Sequence, residues 1–499
     1  MAHKRPFLSQ ADLEHYLKPK DRFEFLFLAL LAVAVLPLTI DRAVALTRDY
    51  EPERINSISP KDVGKHLPGD SFGASQPAAP SNRVPDNLDL PRAIQLAVAW
   101  HPAIAESIGQ LYQQHDNVTV ARAGYYPQIR GGFNTGYDSG LTGNGQSQAF
   151  TLSASQMLYD FGKVDSAVDS AVARVNGKQA SVLLAIDQVA RDTAFAVIEL
   201  QRYQALLNIS RAQVKGLTAI ADLAQKRSDM GASTRSDLIQ ARSRVEAAVA
   251  TQLQYTALYN RWRSTLGSLL GARGPVSVSA QVPDTLQQSC QGINADEVLT
   301  PSLLIAQAQQ VDAQAQIAQA RAEGMPTVSL EPSATQYLDN NDDNGTANGR
   351  DRTRYGIFLN VEVPLYQGGA INARKSAAAQ ALRAAEAAND AARLAVRQGL
   401  LEARDQTSSL EQRLSTLDFR ERSISETRDL YRQQYLELGT RPLLDLLNAE
   451  QEIHQAAMDR ANTAADLHRL EIDCLYNSSA LRTAFNLDSS TIQGVEIRP

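Results

Sequence analysis

Leu158-Tyr159-Asp160-Phe161-Gly162 returns later in the chain as Leu365-Tyr366-Gln367-Gly368-Gly369, at an offset of 207 (365 − 158). On its N-terminal side, His101-Pro102 … Arg122-Ala123-Gly124-Tyr125-Tyr126-Pro127 returns as Thr300-Pro301 … Arg321-Ala322-Glu323-Gly324-Met325-Pro326, at an offset of 199 (326 − 127). On its C-terminal side, Gly231-x5-Asp237-Leu238-x2-Ala241 returns as Gly439-x5-Asp445-Leu446-x2-Ala449, at an offset of 208 (439 − 231). Three kinds of match in one order, with offsets that drift little, indicate an internal duplication. Most of the drift is one insertion between Pro326 and Tyr366, in a stretch rich in Asn, Asp and Gly.

The segments after each Leu-Tyr motif carry a seven-residue column. From Val175 it runs Val182, Val189, Ala196, Tyr203, Ser210, Leu217, Ala224, with Ile186, Leu200, Leu207 and Val214 four residues on. In the second copy it runs Leu382, Asn389, Val396, Ala403, Leu410, Leu417, Ile424, Tyr431, again 207 residues later (382 − 175). A period of seven sustained this long predicts helices supercoiled against partners. Proline is absent between Pro127 and Pro275 and between Pro364 and Pro442, so nothing there forces a break. As one helix, residues 164–229 would extend roughly 100 Å at 1.5 Å per residue.

Ahead of each long helix lie strand-like pairs: 127–138 with 148–160, and 325–338 with 354–366, around the polar turns Gly140–Gln146 and Asp339–Arg352. Tyr355, Ile357, Leu359, Val361, Val363 and Leu365 alternate with mostly smaller or polar residues. Each strand is about the 9–11 residues that a tilted transmembrane β-strand needs. Four strands cannot close a barrel, and open edges in lipid leave backbone groups unpaired at several kcal/mol each. If the hairpins enter a membrane, several chains must share one barrel: 8 strands for a dimer, 12 for a trimer. The helices follow the strands directly, so they should extend the barrel as a tube.

Composition agrees. The chain has 499 residues, 49 basic and 55 acidic, with a net charge of −6, which argues against a nucleic-acid binder. Aromatics are only 6%, and much of the hydrophobic content is alanine, as expected of helices meeting along narrow seams. The two cysteines, Cys290 and Cys474, are taken to exclude a disulfide framework, a zinc cluster or a CxxC redox site. The seven histidines are scattered, with His454 and His468 fourteen residues apart. HExxH, GxSxG, P-loop and dinucleotide fingerprints are missing, so no enzyme, metal site or cofactor is expected. His101, ahead of a helix, reads as a turn or cap residue, and the acids within the helices read as solvated faces.

At the start of the chain, Lys4, Arg5, Lys18, Lys20 and Arg22 precede the apolar run Phe25–Ile40, followed by Ala43-Val44-Ala45. This is the pattern of an export signal, residues 1–45, cut after Ala45. The other reading is a retained anchor, but the run falls short of the roughly 20 residues a spanning helix needs. Residues 46–87 hold Pro52, Pro60, Pro68, Pro77, Pro80 and Pro85 and read as an extended lead-in. The first repeat is then 88–288, the second 289–488, and 489–499 a tail. No cysteine lies near the cut, which excludes lipid attachment there.

Several motifs together resemble the TolC-like outer-membrane channels of efflux and type I secretion, over about residues 88 to 488. They are Ala93…His101-Pro102, Arg122-x-Gly124-Tyr125-Tyr126-Pro127, Gln156-x-Leu158-Tyr159-Asp160-Phe161-Gly162, Val363-Pro364-Leu365-Tyr366-Gln367-Gly368-Gly369, and the two tips Met230-Gly231 to Ala241 and Leu438-Gly439-Thr440-Arg441 to Ala449. The resemblance implies an α+β membrane protein, with a long α-helical coiled-coil barrel continuous with a 12-stranded transmembrane β-barrel shared by three chains. It implies a homotrimer in outer-membrane lipid, with the helical tube in the periplasm. A periplasmic adaptor and an inner-membrane ABC transporter or proton-driven pump would engage the closed end.

Gly231 and Gly439 suit a helix C′ position with positive φ, and Thr440 and Pro442 suit the start of the next helix. The tips, Gly231, Ala232, Ser233, Thr234, Gly439 and Thr440, are the expected adaptor contacts. In the family pattern the position of Asp445 lines the constriction, and an Asp at the position of Asp237 pairs with an Arg at that of Arg441. Three Asp445 side chains would then form a ring, and rings of carboxylates favour cations. A second ring acid often follows three residues later, where this chain has Asn448. Where the family pattern has a gating tyrosine, this chain has Leu436, with Tyr435 beside it. The absent lipid-bearing cysteine favours protein export by a type I system, with drug efflux as the alternative. A secreted coiled-coil structural protein, the rival from another class, leaves the matched hairpins unexplained.

Overall fold

The computed structural model describes residues 87–137, 146–281, 283, 286, 289–291, 298–338, 353–488 and 491–496. The export signal, most of the proline-rich lead-in, the two polar turns and the extreme C-terminus lie outside the described residues. In chain order the main elements are α1 (Leu90–Trp100), α2 (Pro102–Arg122), β1 (Gln128–Tyr137), β2 (Gln146–Tyr159), α3 (Lys163–Asp229) and α4 (Arg235–Leu269). The second half repeats the order with α5 (Pro301–Ala322), β3 (Thr327–Tyr337), β4 (Thr353–Glu362), α6 (Ala370–Gln433) and α7 (Leu443–Asn477). The short helix α8 (Leu481–Ala484) and the two-residue strands β5 (Thr491–Ile492) and β6 (Val495–Glu496) follow. Among the described residues no helix is long and apolar enough to cross a membrane.

The duplication extends to the backbone. Phe161 and Gly162 have φ of 58° and 88°, and Gly368 and Gly369, 207 residues on, have 59° and 85°. Gly271 (φ 63°) ends α4 where Ser479 (φ 59°) ends α7, an offset of 208 (479 − 271). Both ends close alike: Ala272 N–H donates to the Gly267 carbonyl at 2.8 Å, and Ala480 N–H to that of Leu475 at 2.9 Å. The same pairs of turns in both halves make each repeat a strand hairpin followed by a helix hairpin.

Contacts divide the chain into two units. The first, from Thr119–Val168 and Ala318–Lys375, holds a four-stranded antiparallel sheet in the order β1-β2-β3-β4. Its register alternates two kinds of face. Phe133 stands opposite Phe150, Leu330 opposite Leu359, and Val328 opposite Val361. The intervening pairs are Arg130 with Ser153, Ser329 with Asn360, and Thr335 with Arg354. One face is therefore apolar and the other polar. The apolar side chains are open: Phe133, Ile357 and Leu359 are 58%, 58% and 65% exposed. Strands β1 and β4 form the two edges of the sheet.

Among the described residues the second unit is mainly helical, from 87–118, 169–317 and 376–496. The seven-residue column of α3 is its spine: Val175, Val182, Val189, Ala196, Ser210, Leu217 and Ala224 are all buried. The corresponding column of α6 is shallower, with Asn389, Val396, Ala403 and Leu417 buried and the others half-buried. Burial at one residue in seven on two long helices is what the heptad reading required.

Two expectations need correction. Cys290 and Cys474 are not idle: they form a disulfide, with Cα atoms 5.2 Å apart. Two cysteines 184 residues apart give no sign of proximity until the fold brings the inter-repeat connector onto α7. Nor are the helix acids uniformly solvated, since Asp187, Glu199, Glu450 and Glu471 are buried. Each of the four has a basic or histidine partner: Arg482, Arg202 and Arg469, Arg428 and His454, and His468, respectively.

Candidate gate at the two helix-hairpin tips

The first tip joins α3 to α4. Gly231 takes φ 73°, and Ala232 N–H donates to the Arg227 carbonyl at 2.7 Å, which satisfies one of the orphan carbonyls at the end of α3. Thr234 caps α4. Its hydroxyl oxygen accepts from Asp237 N–H at 3.2 Å, while the Asp237 carboxylate accepts from Thr234 N–H at 3.2 Å and from the Ser233 hydroxyl at 2.9 Å. This is a capping box, with Asp in the place more often held by Glu or Gln. Burial pushes the Asp237 carboxyl up, but the hydrogen bonds from Thr234 and Ser233 outweigh it and hold the pKa below its ordinary value.

The second tip is closed differently. The end of α6 widens at Gln434–Leu438 into one π-helical turn, and Gly439 follows with φ 62°. Thr440 N–H donates to the Gln434 carbonyl at 3.3 Å. Pro442 flanks α7 from outside, without a side-chain cap bond. Thr440 is thus not the cap that its position suggested, and Pro442 stands one residue earlier than a first-turn proline would.

Arg441 braces this tip. Its Nη1 donates to the Asp445 carboxylate at 3.1 Å, its Nε to Gln434 Oε1 at 3.0 Å, and its guanidinium lies 4.2 Å from the centre of the Tyr431 ring. Within one chain, then, Arg441 meets Asp445, and the Asp237 carboxylate is engaged by its own tip. Among the described residues no contact joins Asp237 to Arg441. Asp445 remains about one-third exposed and Asn448 is exposed, while Leu446, Leu447 and Ala449 between and beyond them are buried. Positions three apart share a helix face, so α7 presents the carboxylate and the amide together on its open side.

The two tips share one apolar core. Leu217, Ile220 and Ala224 of α3 and Ala241 and Ala248 of α4 meet Tyr435, Leu443, Leu446 and Leu447 of the second hairpin. Tyr435 is 5% exposed, whereas its neighbour Leu436 is 43% exposed. Arg227 of α3 covers the Tyr435 ring at 4.6 Å and donates from Nη1 to its carbonyl at 2.9 Å. Sequence reading missed this link. The signal was in the spacing: Arg227 and Tyr435 are 208 residues apart, the offset between the two tips, so they are equivalent positions of the duplication. Ala232, Thr234, Gly439 and Thr440 are exposed and Ser233 half-buried, so the loops themselves stay accessible. Among the described residues no group of side chains could hold a metal ion.

A duplicated strand-hairpin and helix-hairpin chain, with an open-edged sheet of one apolar and one polar face, defines a class: channel proteins of the bacterial outer membrane. The chain belongs to the outer membrane efflux protein family, whose model matches residues 93–272 and 297–473. These are the TolC-like channels, a family of ducts and not of enzymes. Protein CyaE of Bordetella pertussis is 25% identical over 327 residues, covering 63% of this chain and 68% of that protein. Outer membrane protein TolC of Salmonella enteritidis is 23% identical over 396 residues, covering 75% and 78%. The crystal structure of CusC, described in terms of folding and transmembrane channel formation, superposes with a TM-score of 0.71 at 18% identity, covering 84% of this chain and 99% of CusC.

Proposed function

We propose that three copies of this chain form the exit duct of a tripartite type I secretion system, carrying protein substrate across the periplasm and outer membrane. The observation that carries this reading is the sheet. Four antiparallel strands with an apolar face, a polar face and two open edges satisfy their backbone in lipid only by joining copies of themselves edge to edge. Three copies give twelve strands around a polar lumen. Helix α6 supports the same assembly: Leu394 and Leu401, seven residues apart, are 66% and 48% exposed, as a helix awaiting a neighbouring subunit would leave them. A periplasmic adaptor would engage the tip residues Gly231 to Thr234, Gly439 and Thr440, and an inner-membrane ABC transporter would supply the substrate.

The threefold axis would gather three Asp445 side chains, with Asn448 one turn on, into a constriction that favours cations. Each carboxylate is partly offset by its own Arg441. The Asp237–Arg441 pairing implied by the resemblance would then have to form between subunits. What tips the reading toward protein export is a sequence feature: neither cysteine lies near the expected cut after Ala45. The family description, outer membrane efflux protein, favours the second reading, a drug or metal efflux pump.

Purified protein in mild detergent should run as a heat-modifiable trimer and give discrete channels in planar bilayers. A stable monomer without channel activity would refute the duct. Deleting the gene should remove a large protein from the culture medium. Unchanged medium protein with increased sensitivity to toxic small molecules would move the assignment to efflux. Replacing Arg441 by Ser and Asp237 by Ala together should raise single-channel conductance.

A further inference from the structure

Glu450 lies five residues beyond Asp445 on α7, and it is buried, 5% exposed. Its Oε2 accepts from Nη1 of Arg428 on α6 at 3.3 Å, and its Oε1 lies 3.2 Å from Nε2 of His454, one turn further along α7. On its remaining side is α3. A Cβ added at Gly216 would stand 1.9 Å from Glu450 Oε1 and 2.9 Å from its carboxyl carbon. Glycine in a helix interior costs about 1 kcal/mol relative to alanine. Here its bare backbone makes room for a carboxylate from the other hairpin. Leu217, the next residue, belongs to the apolar core of the tips, so this contact borders the candidate gate.

We propose that Glu450 is a positioning residue of the closed channel end, a pin that sets the axial register of α7 against α3 and so fixes where Asp445 and Asn448 stand. The inference rests on the channel reading above. Three helices meet at this one carboxylate: α3 through Gly216, α6 through Arg428 and α7 through Glu450 and His454. Sliding α7 along α3 would drive the carboxylate into side chains on either side of the glycine and part it from Arg428. An apolar contact at this place would tolerate small slides, because hydrophobic packing is not directional. A buried ion pair adds little net stability, but it can specify register, and that is the role its geometry fits here. Burial raises the carboxyl, and the bonds from His454 and Arg428 outweigh it and hold Glu450 below its ordinary pKa.

The test compares the full-length trimer with Gly216→Ala, Glu450→Gln and the double variant Gly216→Ala/Glu450→Ala, reading single-channel conductance in planar bilayers and the apparent Tm. Gly216→Ala evicts the carboxylate, and Glu450→Gln keeps its volume but removes its charge. Each should raise the conductance of the resting channel at least twofold. The double variant places a methyl where the carboxylate was. It should recover part of the apparent Tm lost in Gly216→Ala, the rest being withheld by the unpaired Arg428 and His454, and still show the raised conductance, which a merely structural role would not produce. Resting conductance equal to wild type in both Gly216→Ala and Glu450→Gln overturns the pin, as does a double variant that regains the wild-type conductance. If Gly216→Ala yields no trimer, Glu450→Gln decides alone. A wild-type protein that forms no channels removes the channel reading and the pin with it. Discrete wild-type channels that the variants leave unchanged remove only the pin.

Discussion

The two helix-hairpin tips descend from one duplicated motif and keep the same left-handed glycine, yet they hold their charges in opposite ways. At the first tip the acid is turned inward on the loop: Asp237 completes a capping box with Thr234 and serves its own turn. At the second the acid stays on the open face of α7, and Arg441, reaching to Asp445, Gln434 and Tyr431, braces the turn in place of a cap. The first tip is closed by local hydrogen bonds that any conformation of the assembly can keep. The second is closed by longer side chains that can change partners. Duplication gave two equivalent turns, and they came to hold their acids by different partners.

The strongest way to break this contrast is through the core the tips share. Leu447→Ala removes a fully buried side chain and should cost about 2–5 kcal/mol. Limited proteolysis should then cut at both tips, and cleavage at one tip alone would show them to be independent. Next come the glycines. Gly231→Ala and Gly439→Ala each force a methyl into left-handed backbone and should cost about 1–2 kcal/mol apiece by denaturant titration. Only Gly439→Ala should also alter channel conductance, and equal effects on conductance would erase the distinction. Thr234→Ala should cost about 1 kcal/mol as a lost cap, while Thr440→Ala should leave stability within a few tenths of that of the wild type. The smallest effect is on pH. Asp237 has a depressed pKa, so its contribution is present above its ordinary value of 3.8 and fades as pH falls through the folded-state value. Acid titration of stability should be shallower in Asp237→Asn than in wild type, and identical curves would mean the capping box carries no charge dependence.

Much of the fold was legible beforehand, for reasons that can be named, whereas the contrast between the tips was not. The helix α3 was readable because its buried column repeats every seven residues, from Val175 to Ala224, and nothing in the chain interrupts it. The hairpins were readable because side chains alternate across a pleat. The turn glycines were readable because only a residue without a Cβ enters left-handed backbone cheaply. What escaped were contacts between residues far apart in the chain. Glu450 settles on Gly216 and Cys290 bonds Cys474, and no periodicity links either pair, whereas Arg227 and Tyr435 stand one repeat offset apart, at 208 residues. The helix acids were misread for a related reason. Periodicity marks which face of α3 is inward, but it does not reveal that Arg482 waits there for Asp187. Burial pushes that carboxyl up while the guanidinium pulls it back. The π turn at Gln434–Leu438 also left no trace, because its residues fit an α-helix equally well.

The bond between Cys290 and Cys474 makes most of the second repeat a covalent ring. Everything from α5 through the strands and α6 to most of α7 lies inside it. One proteolytic nick anywhere between those two residues would therefore leave a single molecule on a gel run without reductant and two fragments on a gel run with it. The ring closes where thiols are oxidised, which agrees with a chain whose helices stand in the periplasm.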